Sequence, residues 1–442
     1  MRIAVIGSGI AGLSAAWLLS SRHDVTLYEK DSRLGGHANT LSVDYDGARI
    51  DVDTGFIVYN EITYPNLVQL FRQLDVATEA SDMGFGVSVD DGRLEYAGSL
   101  RGLLAQPGNL ASPRYRRMIA DMLRFFRSAT DLLREPGPGP SLGDWLAREG
   151  YGEGFVEDHL LPMGAAIWSC PVGTMLDFPA RSFVQFFQNH QLLNLVVREP
   201  WRTVTGGSKQ YVARLATRLT GRIRLSSPVR RVVPDRDGVT VACVDGDIRN
   251  YDHVVLATHG DQALRLIAEP TAAETAVLGC FRYQPNTAIL HRDTALMPRR
   301  RAAWSAWNYQ AERAGARNRR VALTYWMNRL QNLDPARPLF VSMNPLREPD
   351  PAKVFACIAY EHPVFDAAAI AAQDRLPEIQ GGRRLWFCGS YAGWGFHEDG
   401  LKSAIAVALS LGARLPWPSA VTPASVAAGK PAATPILADA AD

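Results

Sequence analysis

The sequence is short of the features that most quickly betray a function. Its five cysteines, Cys170, Cys243, Cys280, Cys357 and Cys388, are scattered without a CxxC pair, so neither a zinc site nor c-type haem attachment is expected, and no metal is. An odd, dispersed set fits reduced thiols, and a cytoplasmic location is the expectation. The lysines are only Lys30, Lys209, Lys353, Lys402 and Lys430. A formal net charge of +2 lacks the concentrated basic excess of nucleic-acid binders, so no such partner is expected. No apolar run approaches the roughly 18 residues of a spanning helix; the longest, Ala404 to Leu411, contains Ser410. The start, Arg2 to Ile6, pairs a basic residue with apolar ones as an export signal would. Glycines at 7, 9 and 12 interrupt it, so no export signal is expected. HExxH and GxSxG are absent, which removes the common hydrolase readings. There is no internal repeat.

What is present points to a globular protein with a large core: 442 residues, 47% hydrophobic and 21% charged, enough for two intertwined domains. Arg2 to Ile6 reads as a buried parallel strand, Ile10 to Ser21 as a helix and Val25 to Tyr28 as a second strand, a βαβ unit. Further strands are expected at Arg222–Leu225, Val229–Val233, Val239–Val244, His253–Ala257 and Arg384–Cys388, with helices from about Lys209 to Leu219 and Leu401 to Leu411. Doubly wound α/β pieces are thus expected at 1–78, 200–262 and 378–415. A mixed α+β substrate domain is inserted at 79–199 and 263–377. Residues 416–442, rich in Ala, Pro, Ser and Thr, are expected to be a disordered tail.

The run Gly7-Ser8-Gly9-Ile10-Ala11-Gly12 follows a strand and opens a helix, which gives each glycine a task. The first makes the tight turn, the second lets backbone amides approach a pyrophosphate, and the third lets helix and strand pack closely. The helix dipole then faces the phosphates. Glu29, at the end of the second strand, stands where a carboxylate accepts hydrogen bonds from ribose hydroxyls and repels a 2′-phosphate. Next to it come Lys30 and then Arg33-Leu34-Gly35-Gly36, a guanidinium and two flexible residues where the chain passes the pyrophosphate again.

At this point the sequence resembles the flavin-containing amine oxidase and phytoene desaturase-like superfamily, which carries Arg-x-Gly-Gly here. The resemblance implies non-covalent FAD and a two-domain amine oxidase-like fold. It extends to Asp53-Thr54-Gly55, similar to the loop beside the flavin, to Pro228-Val229, similar to the strand meeting the adenine, and to the strand Val254 to Ala257 with Thr258. Leu385 to Gly389 and Gly395 to Gly400 resemble the last FAD motif, whose helix, with Asp399 and Leu401, implies an N-terminus aimed at the flavin. Ser390 stands where the superfamily often has an acid, and no lysine falls in the aromatic segments, a departure from many amine oxidases. Cys388 aligns with the small residue before Gly389, not with a cysteine of covalent attachment.

More narrowly, Asp53 to Asn60, Leu161 to Ser169, Tyr325 to Leu330 and Gly395 to Gly400 resemble a bacterial group of predicted NAD/FAD-binding proteins. That group is associated with cyclopropane or furan fatty acids, so a lipid-like substrate is what this resemblance implies.

Candidate chemistry gathers at His397-Glu398-Asp399. His397 or Glu398 is placed to move a proton at the flavin, and Asp399 to contact the cofactor or cap the helix after it. His37, directly after Gly36, is expected beside the ribityl chain. Tyr59, Trp168, His190, Trp307, Tyr309 and Trp326 come from segments expected to face an aromatic chamber, with Tyr309 and Trp326 as catalytic candidates. Residues 113–134 pattern as an amphipathic helix, Arg116, Arg117, Arg124 and Arg127 opposite an apolar face, and with Arg299 to Arg301, Arg317, Arg319 and Arg320 they motivate peripheral contact with anionic membrane. The leading expectation is FAD-dependent oxidation, or double-bond rearrangement, of a lipid-like small molecule. A flavin amine oxidase and a non-catalytic flavin-bound lipid- or partner-binding protein remain as alternatives, and the oligomeric state is left open.

Overall fold

Strand Arg2–Ile6, whose side chains from Ile3 onward are buried, takes the centre of a five-stranded sheet because both its faces are covered. Its neighbours are Asp24–Tyr28 on one side and His253–Leu256 on the other, with Arg222–Arg224 and Leu385–Phe387 outermost. All four pairings are parallel. Helix Ile10–Ser20 crosses one face and packs on the last helix, His397–Ser410. The computed structural model describes residues 1–137, 139–168, 172–189, 192–193, 200–312 and 321–422. Cys170, His190, the Trp168 side chain, Arg317, Arg319, Arg320 and the tail from 423 lie outside the described residues.

A seven-stranded sheet builds the second layer, in the order Val354–Val364, Arg282–His291, Phe340–Met343, Val321–Trp326, Trp307–Ala311, Phe85–Val89 and Leu94–Ala97. The helices of residues 113–189 cover part of it, around Phe125, Phe155, Phe183 and Phe187. The strands expected at 229–233 and 239–244 belong to a separate antiparallel sheet of Val229–Pro234, Val239–Cys243 and Ile248–Tyr251. Strand Thr78–Ser81 pairs with Trp201–Val204, which also pairs with Val58–Asn60, so the chain crosses between the layers just after residue 81.

Three sequence readings change. The last helix begins at His397, not Leu401, because Gly400 is a helix-interior residue set against the first helix: a Cβ there would lie 3.0 Å from Ile10 Cγ2. Residues 416–422 are packed rather than a free tail, since Trp417 is buried and stacks on Trp17 at 6.0 Å, and Ser419 Oγ donates to Asn66 Oδ1 at 2.6 Å. The amphipathic stretch is helix Pro113–Ser128 followed by a 3-10 turn, and much of its basic face is used within the fold. Arg114 pairs with Glu153, Glu157 and Asp158, while Arg117 and Arg124 share the buried Asp121. Arg299 pairs with Asp91 and Arg300 with Glu95, and Arg301 lies over the Trp304 ring. Among the described residues no helix is long and apolar enough to cross a membrane.

Candidate functional site

A cavity of about 1540 Å³ runs from the glycine loop at the carboxyl end of strand Arg2–Ile6 to the seven-stranded sheet. That exceeds what one drug-sized ligand needs. At the loop end, Gly7, Ser8, Gly9, Ile10 and Ala11 form the wall, and the first-turn amides of the helix have no acceptor within it. Gly12 stands behind them: its Cβ would fall 1.8 Å from Gly7 O. Gly9 is the opposite case, with nothing within 4 Å of a built Cβ, so its backbone is bare toward the cavity. Gly36, at φ +55, comes close to Gly9 (Cβ to Gly9 Cα 3.1 Å), so the two glycine segments face each other across a narrow gap.

Charged groups flank this cradle. Glu29, 7% exposed, accepts at Oε2 from the Ser8 amide (2.9 Å) and hydroxyl (2.6 Å) and at Oε1 from the Asp31 amide (2.9 Å). Oε1 keeps one acceptor site for a hydroxyl of a diol, while both sites of Oε2 are taken. The Arg33 guanidinium donates to Gly36 O at 2.9 Å, which fixes it over the second glycine turn. Lys30, Thr54, Gly55, Val229, Ala257, Thr258, Gly389 and Ser390 also line the cavity. His37 is on the wall too, with Nε2 buried and bonded to no protein atom. An elongated, negatively charged molecule with a diol at one end fits this donor set and the bare glycine backbone.

Other candidates sit behind the wall rather than on it. Gly35 and the fully buried Leu401 belong to the packing around it. Asp53 is a structural knot: Thr40, Ser208 and Gln331 donate to its carboxylate, and burial pushes its pKa up to about 6. Asp399 accepts from the amides of Trp394 and Phe396 (3.0 Å each) and so starts its own helix. Glu398 points the other way and accepts from the amides of Asn66 and Leu67 and from Asn66 Nδ2. It therefore caps helix Pro65–Gln73, and its expected contact with the reacting centre gives way to that tie between helices. His397 does reach the cavity, stacked on Phe56 at 3.7 Å with Nε2 3.0 Å from the Tyr211 hydroxyl. Burial and the nearby His37 lower its pKa to about 3, so it stands on the wall as a neutral imidazole. Cys388 is fully buried off the wall, its thiol pushed up to about 12 by burial.

Two aromatic candidates are displaced by strand geometry. Side chains alternate faces along a strand, so Tyr325 turns to the cavity with its cross-strand partner Trp307. Trp326 turns outward, beneath the guanidinium groups of Arg301 and Arg329. Tyr309 shares the face of Trp307 but is 1% exposed within the core under the helices. Tyr59 packs on Tyr64 and Phe71.

Sequence reasoning missed a second cluster on the wall: His259, Tyr283, Tyr360 and His362, gathered around His37. His37 stacks on Tyr360 at 5.0 Å, and its ring lies 5.5 Å from His362 and 6.1 Å from His259, which stacks on Tyr283 at 4.1 Å. Burial is the main cause lowering the pKa of His37 and His259 to about 4 and of His362 to about 3. Among the described residues no group of three or more His, Cys, Asp or Glu is arranged to hold a metal ion. The only signal in the sequence was Tyr360 and His362 two apart on one strand face, and nothing local tied them to His37.

At its far end the cavity is walled by Met83, Phe85, Met163, Phe186, Trp307, Tyr325 and Met343. Met122 and Phe126, from the amphipathic helix, also face it.

The profile of the family described as flavin containing amine oxidoreductase matches residues 10–292. A 4,4'-diapophytoene desaturase of Staphylococcus aureus (strain MRSA252) is 38% identical over 63 residues, 14% of this chain and 12% of that protein. The chain thus matches only a small part of the length of this curated relative. Among solved structures, a CLA-producing fatty acid isomerase from P. acnes superposes with a TM-score of 0.64 at 15% identity, covering 93% of this chain and 98% of that one. A putrescine oxidase bound to putrescine superposes with a TM-score of 0.65 at 15% identity, covering 94% and 100%. At these identities the likeness is one of fold.

Proposed function

Since the chain belongs to the flavin containing amine oxidoreductase family, whose cofactor FAD suits the loop, diol acceptor and guanidinium described above, we propose that it is an FAD-dependent oxidoreductase acting on a lipid-like, unsaturated acyl substrate. Bound FAD would supply a hydride acceptor. The observation carrying the substrate reading is the far chamber, where Phe85, Phe186, Trp307, Tyr325, Met163 and Met343 offer an apolar surface for an extended chain. Flexible methionines among rigid aromatics suit a chain with a bend. The fatty acid isomerase among the structural relatives is consistent with this reading, and the putrescine oxidase keeps amine oxidation as the competitor.

What the chain's own residues contribute is shape, exclusion of water and neutral hydrogen bonding. His37, His259, His362 and His397, all on the cavity wall, are held uncharged at neutral pH, mainly by burial.

Anaerobic mixing of the FAD-loaded protein with methyl linoleate and, separately, with putrescine tests the reading. The expected result is loss of flavin absorbance near about 450 nm with the ester, or ester converted to a conjugated diene while the flavin ends oxidised. Bleaching by putrescine alone replaces the reading with amine oxidation. No change with either leaves a flavin-bound protein without turnover on these substrates.

Delivery of such a substrate is proposed to use a membrane surface. Leu100 is 86% exposed, and Leu104 and Leu110 are also exposed, beside Arg101 and Arg116, while Gly98 and Ser99 just before them line the cavity. Sedimentation with anionic vesicles at low salt, lost on replacing the three leucines by serine, is expected; equal sedimentation of wild type and variant removes this route.

A further inference from the structure

A chain of amide side chains ends on His362. The backbone amide of Thr287 donates to Asn344 Oδ1 at 2.9 Å, and because a backbone N–H is only a donor, that end of Asn344 is its oxygen. Asn344 Nδ2 then donates to Asn286 Oδ1 at 2.7 Å. The other end of Asn286 is its nitrogen, which donates to the carbonyl of Gln284 at 3.2 Å and contacts His362 Nδ1 at 2.8 Å. Two independent contacts, one at each end, orient the Asn286 amide the same way. Nδ1 of His362 must accept, so in the neutral ring the proton is on Nε2. The ring lines the cavity, 5.5 Å from His37.

We propose that Asn344 and Asn286 are positioning residues that lock His362 in its Nε2–H tautomer, presenting that N–H to a hydrogen-bond acceptor held in the cavity. Burial, with His37 as a lesser cause, takes the pKa of His362 down to about 3, so the ring stays a neutral donor across the physiological range. An unlocked imidazole divides its population between a donor and an acceptor at the same position. Fixing the tautomer removes that ambiguity, as an orienting hydrogen bond on the other ring nitrogen does elsewhere. The acceptor chemistry is a carbonyl oxygen or an unprotonated ring nitrogen, available from the flavin or from a substrate ester.

The tautomer is read directly by two-bond ¹H–¹⁵N correlation spectra of the FAD-loaded protein, with the His362 signals assigned by their loss in His362→Gln. Nε2 protonated and Nδ1 bare is expected in wild type. Asn286→Asp, whose carboxylate only accepts, is expected to draw the proton to Nδ1. The acceptor's source is read by two affinities. His362→Leu is expected to weaken either FAD, titrated into FAD-free protein, or methyl linoleate, titrated into FAD-loaded protein, about tenfold, the value of one hydrogen bond of about 1.4 kcal/mol. His362→Gln, which retains an N–H donor, is expected to restore it. Loss confined to FAD identifies the flavin as acceptor, and loss confined to the ester identifies the substrate. A wild-type ring protonated on Nδ1 overturns the proposal. So do His362→Leu affinities within twofold of wild type for both probes, or for FAD if the wild type does not bind the ester. Failure of wild type to bind the ester at all counts against the lipid reading, and the tautomer and the FAD titration still decide the role of His362.

Discussion

Gly12→Ala is expected to lose FAD and to unfold at least about 10 °C below wild type, whereas Gly9→Ala is expected to keep the wild-type melting temperature without cofactor and bind FAD weakly. The two glycines sit three residues apart in the same loop, and only the space around them separates the outcomes. A single methyl at Gly12 meets Gly7 O at 1.8 Å, Gly7 C at 2.8 Å and the Ala257 side chain at 3.2 Å. The first two are backbone atoms of the turn itself, so relief requires the helix to lift off strand Arg2–Ile6. Ordinary overpacking costs about 1–3 kcal/mol; an overlap with main chain belongs to the rarer class above about 4 kcal/mol. Lifting the helix also moves the amides of Ile10 and Ala11 out of the cradle. At Gly9 the methyl meets nothing within 4 Å and projects into the room a pyrophosphate needs, so the penalty falls on binding. Thermal melts of FAD-free protein and FAD titrations separate the two. Equal behaviour of the variants in both measurements would dismantle this account of the loop.

The N-terminal unit was legible in the sequence because its code is local. Strand, Gly7 to Gly12, helix and Glu29 lie within thirty residues, and each has a mechanical reason for its position. Legibility declined where a residue's task depends on a partner distant in the chain. Glu398 reads as a proton carrier beside the flavin, but that it caps helix Pro65–Gln73 needs residues more than three hundred positions away. Gly400 read as the point where a helix begins, since glycine disfavours helix interiors. Its close approach to Ile10 overrides that propensity. Tyr325 and Trp326 are both large aromatics, so alternation alone could not say which faced the cavity; the pairing of Tyr325 with Trp307 decides it. The cluster of His37, His259, Tyr283, Tyr360 and His362 is assembled from both layers, and beyond the i, i+2 pair Tyr360 and His362 it had no local signature.

Acid is expected to destabilise the FAD-loaded protein steeply between pH 6.5 and 4.5, and the sign follows from which groups are buried. His37, His259 and His291 are lowered to about 4, and His362 and His397 to about 3, with burial the leading cause in each. A base with a depressed folded pKa contributes stability above its unfolded value of about 6.5 and loses it as pH falls toward the folded value. By pH 5 each of the five costs about 2 kcal/mol, an order-of-magnitude figure. Asp53 and Glu398 work in the opposite direction. Burial raises them to about 6 and about 7, so the folded state takes up their protons first and gains as pH falls. Burial also lowers His253 and raises Asp399, so six histidines stand against three raised carboxyl groups, which leaves a net loss of several kcal/mol, comparable with the whole stability of many domains. The melting temperature should therefore fall on the order of 10 °C from pH 7 to pH 5. His291 gives the control, because it is fully buried against Ser342 and lies off the cavity wall. His291→Gln removes one of these histidine proton sites, so the difference in stability between pH 7 and pH 5 should shrink by about 2 kcal/mol while FAD affinity stays at the wild-type value. A melting temperature that stays level within a few degrees from pH 7 to pH 5 would mean that these imidazoles are not held neutral by the fold.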